Sequence, residues 1–158
     1  MRMLLGFGWA VIRASQSRLV GSGLDELDAI DNELALADRS LRVACRAWLD
    51  KCGDPWLIWQ LSDQLNSHSG LLQFHTSRNH RTSAFWDLAE FVAQQSKGSF
   101  GVLYVHDDED LGTRTGQDYS LSFRVWRILD GALTEHNDPL FSPFASQHAF
   151  GGAGGFGE

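Results

Sequence analysis

Cysteine is scarce in this chain: Cys45 and Cys52 are the only two among 158 residues. On one helix their spacing puts them on a shared face but roughly 10 Å apart, too far for a disulfide without breaking the helix. Two uncommitted thiols fit a reducing compartment, and the expected location is the cytoplasm. Long hydrophobic runs are missing as well. No stretch approaches the roughly 20 apolar residues of a membrane span, so no membrane partner is expected. The opening MRMLLGFGWAVIRAS has the Arg and short apolar run of a signal peptide. That run alternates as a strand does, however, and meets Arg13 rather than a small-residue cleavage site.

Positive charge is in short supply, with 13 Lys+Arg against 20 Asp+Glu and a net charge of −7. Phosphate binding needs a clustered basic surface, so nucleic acid is excluded as a general partner. The cluster Arg78, His80 and Arg81 is too small to supply one. A cationic partner suits the balance, because an acidic surface accelerates its encounter; the same charge also serves plain solubility.

Catalytic signatures are absent too. Gly98-Ser99-Phe100-Gly101 is one residue short of a nucleophile elbow. Neither a phosphate-cradling G-x-x-x-x-G-K-[ST] nor a G-x-G-x-x-G occurs, and neither cysteine stands in a histidine or asparagine pattern. His68, His75, His80, His106, His136 and His148 lack metal-ligand spacing. The chain is read as a non-enzyme with no cofactor and no metal.

What is present is a globular core: 43% of the residues are hydrophobic and 21% charged, in a length that suits one domain. Leu5, Phe7, Trp9 and Val11 alternate with Gly6, Gly8, Ala10 and Ile12, which predicts a strand with a large-residue face and a small-residue face closely packed. Leu24 to about Lys51 has helical spacing, stopped by Gly53 and Pro55. The register slips near Asp38, leaving open a kink or two helices. Strands are predicted at Trp56–Leu61 and Gly70–His75, and a helix from Ser83, its cap, to about Ser96. Phe85, Leu88 and Phe91 or Val92 supply its buried stripe. Gly101–Val105, apolar on both faces, reads as a central strand. Tyr119–Leu129 reads as a long strand with Leu121, Phe123 and Val125 inward, and Asp130-Gly131 as a hairpin turn returning through Leu133–His136.

The expected fold class is therefore α+β: a mostly antiparallel sheet packed against two helices in a single two-layer domain. That domain covers residues 1–145. Residues 146–158 are expected to form a flexible tail, since five of the last ten residues are glycine. Oligomeric state is not determined by the sequence.

Two acidic features stand out. Asp107-Asp108-Glu109-Asp110 follows the central strand directly. Consecutive residues point in different directions, which disfavours a metal site built from the four alone and favours a solvated turn or a protein-binding patch. Leu24–Asp38 holds six acids and no Lys or Arg, the pattern of a solvated helix face or an extension of a negative surface. The six tryptophans are read as core, with one or two as interface anchors.

At GSFGVLYVHDDED (residues 98–110) and DPLFSPF (138–144) the chain resembles the immunity protein 7 family of bacterial polymorphic toxin systems. Its opening GFGWAVIR (6–13) is similar to that family's first strand with a Gly-Trp pair. The later helix, strand and closing hairpin follow in the family's order, so the resemblance runs from about Leu5 to Phe144. It implies a non-catalytic α+β protein, encoded beside a toxin, that binds and neutralises its cognate toxin domain. Residues 111–118 read as an extended loop that departs from the family, and no interface residue is carried over from it. The candidate toxin-binding surface comprises His106, Asp107, Asp108, Glu109, Asp110 and Asp138, aimed at a basic cleft such as a nuclease would have. The alternative is a small metal-dependent hydrolase using the same acids with His106.

Overall fold

A computed structural model of the chain describes residues 4–14, 24–63, 69–78, 83–109, 119–120 and 122–138. Its elements are β1 (Leu4–Ile12), α1 (Leu24–Cys52), β2 (Leu57–Ser62), β3 (Gly70–Arg78), α2 (Ala84–Gln95), β4 (Phe100–Asp107), β5 (Phe123–Leu129) and β6 (Ala132–Asn137). The strands form one sheet in the order β2-β3-β1-β4-β5-β6, and every neighbouring pair is antiparallel. This is the expected α+β architecture, with both helices on one face. β1 and β4 lie at the centre, as expected of β4 from its apolar run.

The small-residue face of β1 is the covered one. Gly6, Gly8 and Ala10 are buried, whereas Leu5 and Phe7 across the strand are 40% and 49% exposed. The small side chains leave room for Phe74 of β3 and Phe85 of α2, whose rings lie 5.1 Å apart over β1. A Cβ at Gly8 would stand 2.6 Å from the Phe74 ring. At Gly101, paired with Ala10, a Cβ would stand 2.3 Å from the carbonyl oxygen of Trp9. Only glycine lets β1 and β4 approach this closely. Leu72, Leu88, Leu103, Val105 and Ile128 complete the core between sheet and helices, each at most 2% exposed.

Helix α1 is continuous through Asp38, so the apparent slip in register is resolved as a single helix. Asp38 occupies the buried stripe between Leu34 and Leu41, where an apolar residue would keep the spacing, and it is 3% exposed. Its carboxylate accepts a hydrogen bond from the Ala14 N–H just past β1, tying the helix to the sheet. A buried carboxylate needs such a partner. Further along, Cys45 and Leu49 are buried and Trp48 stacks on Phe91 of α2 at 5.7 Å. Both cysteines lie on α1 and are free. Burial pushes the Cys45 thiol up to about 11, with the Arg46 charge opposing the shift.

Three local expectations are corrected. The strand expected from Tyr119 begins only at Phe123, and the Tyr119 carbonyl accepts the Ser122 N–H at 3.0 Å in a turn before it. Ser83 precedes α2 but makes no side-chain cap hydrogen bond; its carbonyl accepts the Asp87 N–H at 2.8 Å instead. On β5 the inward residues are Arg124, Trp126 and Ile128, while Phe123 and Val125 face the other way; Leu121 lies outside the described residues. Period-two alternation fixes which residues share a face but not which face is covered. The β5–β6 hairpin is as expected: Asp130 (φ 53°) and Gly131 (φ 81°) both take left-handed conformations, joining Leu129 to its partner Ala132. That is the two-residue turn whose twist suits a hairpin. The Gly-rich stretch 146–158, the loop 111–118, and His68, His80, Arg81 and His148 lie outside the described residues, as does the side chain of Arg78.

Candidate functional site

β4 carries the candidate residues to one end of the sheet and then separates them. His106 lies on the face away from the helices, its ring 5.4 Å from that of Phe123, its partner on β5. Asp107, one residue on, turns to the helix side and is 8% exposed. Its Oδ1 accepts the Glu109 N–H at 3.0 Å, so this acid shapes the turn that follows the strand. Asp108 and Glu109 occupy that turn half-buried. Asp110 lies outside the described residues. Asp138, directly after β6, is buried at 7%. It belongs to the same end of the sheet, because Asn137 pairs with Arg124, which pairs with Val105. Two strand spacings, about 10 Å, separate it from β4.

The corner contains a cation that sequence reasoning missed. Arg124, on the covered side of β5, is 6% exposed. It donates from Nε to Glu135 Oε1 at 2.7 Å and from Nη2 to Glu135 Oε2 at 2.6 Å. Its guanidinium lies 4.6 Å from the Tyr119 ring centroid and 4.9 Å from that of Trp126. A bidentate pair and two aromatic faces satisfy a charge that would otherwise be costly to bury. The only signal in the sequence was a charge alternating with apolar residues along β5. Among the described residues, no group of three His, Cys, Asp or Glu is arranged to hold a metal ion.

The face away from the helices is the second feature that the corner adjoins. It presents Leu5, Phe7 and Trp9 from β1, Phe100, Val102 and Tyr104 from β4, and Phe123, Val125 and Leu129 from β5. Phe100 and Leu129 are each 39% exposed, and Ile58 at the β2 edge is 56% exposed. Trp9 meets Phe100 edge-on at 6.3 Å.

A family comparison bears on this arrangement: the model for immunity protein 7 matches residues 60–147, more than half of the chain. The chain belongs to the immunity protein 7 family. The matched span starts within β2 and takes in β3, α2, β4, β5, β6 and all six candidate residues. β1 and α1 precede it, although β1 sits between β3 and β4 in the sheet. No curated protein and no solved structure matches the chain. No helix among the described residues is long and apolar enough to cross a membrane.

Proposed function

We propose that this immunity protein 7 family member neutralises a cognate bacterial toxin domain by binding it, with no catalytic step of its own. The observation that carries this reading is the family match over the part of the sheet that ends in the acidic corner. In that corner Asp108 and Glu109 meet a basic toxin surface, with Asp110 continuing the acidic run and His106 at its edge. Asp107 and Asp138 are both buried, and Asp107 shapes the turn that presents them by accepting the Glu109 N–H. If the toxin is a nuclease, these acids compete for the side chains that bind phosphate. Opposite charge raises the association rate above the about 10⁵–10⁶ M⁻¹s⁻¹ of neutral encounters, while packed side chains set dissociation. The protein acts in the cytoplasm, where free Cys45 and Cys52 stay reduced.

The test is co-expression with the toxin domain encoded beside this chain, scoring survival and co-purification. Survival with a stable complex supports neutralisation by binding. Survival without a complex points to an enzyme acting on the toxin's product or target, and no survival rejects the immunity role. Asp108→Asn with Glu109→Gln should slow association about 10-fold at low salt and have little effect at high salt, measured by stopped-flow.

A further inference from the structure

The sheet face away from the helices is apolar at its centre and, among the described residues, free of acid. Across all six strands, no aspartate or glutamate among the described residues stands on it, in a chain of net charge −7. Its formal charge is Arg127 of β5, which is exposed; His75, His106 and His136 lie around its apolar centre. Between Trp9, Phe100, Val102, Val125, Arg127 and Leu129 runs a groove of about 370 Å³. Isolated exposed apolar residues need no explanation, but a contiguous aromatic patch rimmed by polar groups marks an interaction site.

We infer that this open face is the packed centre of the toxin interface, and that the toxin presents to it an apolar surface bearing a carboxylate opposite Arg127. The inference rests on the proposed immunity function and assigns it a surface. The area fits a stable complex, and the charge chooses this occupant. At about 4.8 Å between strands and about 3.3 Å per residue, the face covers roughly 600 Å², close to the about 800 Å² each partner buries in a standard stable complex. Charge disfavours a second copy: among the described residues the centre of the face carries Arg127 and no acid, so two such centres set against each other offer Arg127 no carboxylate. A partner carboxylate supplies the missing complement, and the acidic corner at the His106 end becomes the rim of the same footprint. Aromatic and arginine side chains in a desolvated centre carry most of the energy of such interfaces, and a polar rim carries little.

The experiment measures affinity for the purified neighbouring toxin domain by calorimetry, using the full-length protein and three variants. Phe7→Glu puts an unpaired charge in the centre and should weaken binding more than about 100-fold. Arg127→Glu reverses the charge of an exposed side chain without touching the core and should weaken it more than about 10-fold. Arg39→Glu, on the exposed side of α1, should leave affinity within about twofold. Circular dichroism checks each fold; if Phe7→Glu fails to fold, Arg127→Glu decides alone. Wild-type affinity in both face variants overturns the inference while leaving the immunity function standing. No wild-type complex overturns the function first, and the inference with it. A wild-type dimer in ultracentrifugation that Phe7→Glu makes monomeric overturns the choice of toxin and gives the face to a second copy.

Discussion

The two faces of the sheet are both apolar, yet they do different work. On the helix side Phe74, Phe85, Leu72 and Leu103 are at most 1% exposed, closed over by α1 and α2. On the open side Leu5, Phe7, Phe100 and Leu129 are 39–49% exposed. β1 shows the contrast within one strand, since Gly6, Gly8 and Ala10 are buried while Leu5 and Phe7 between them are 40% and 49% exposed. Packing against α2 requires the small residues, because Phe85 already fills the space above Gly6. Leu5 and Phe7 leave apolar area in water where they stand. That expense is understandable if a partner covers them.

The sharpest break in the comparison is one phenylalanine from each face. Phe85→Ala, on the helix side, is expected to lose about 3–5 kcal/mol in urea unfolding. Phe7→Ala, on the open side, should lose under about 1 kcal/mol. Similar losses at both positions would show that the open face is as well packed as the covered one.

Gly101→Ala drives a methyl group against the Trp9 carbonyl and should cost about 1–3 kcal/mol by the same measurement, because both groups belong to paired backbones. Cys45 reports how dry the covered side is. Its folded-state value of about 11 lies above the ordinary thiol value of 9.0. The protonated thiol is therefore favoured in the folded protein. Stability from this group is full below about pH 9 and is lost as pH rises toward about 11. Cys45→Ala should flatten that fall, and in the folded wild type Cys45 should resist a thiol reagent at pH 8 while Cys52 reacts.

One effect should have the opposite sign. Thr76, fully buried on β3 beside Gly6, has a hydroxyl with no hydrogen-bond partner among the described residues. Thr76→Val keeps the shape and removes the uncompensated polar atom, so thermal unfolding should show a gain of about 1 kcal/mol. A loss would mean that a buried water serves the hydroxyl.

Much of this was legible in the chain. Alternation marked β1, helical spacing marked both helices, and Asp130-Gly131 fixed the last hairpin, because each signal depends on neighbouring residues and local backbone geometry. The candidate site was legible only as a run of acids. Four consecutive letters carry no direction, and the fold sends His106 to one face and Asp107 to the other.

Asp38 looked like a break in a helix until Ala14 was brought to it. Arg124 is one charge among many in the sequence, and only the fold gathers Glu135, Tyr119 and Trp126 around it. Apolar alternation along β5 predicts Phe123 and Val125 inward, and the packing places Arg124 and Trp126 there instead. By itself, then, the sequence determined the α+β class, most of the elements and the family resemblance, all properties of residues near in the chain. Tertiary structure alone decided which face of the sheet is covered. A strand's two faces differ only in what packs on them, and here α1 and α2 cover the small-residue side of β1, leaving the aromatic side open.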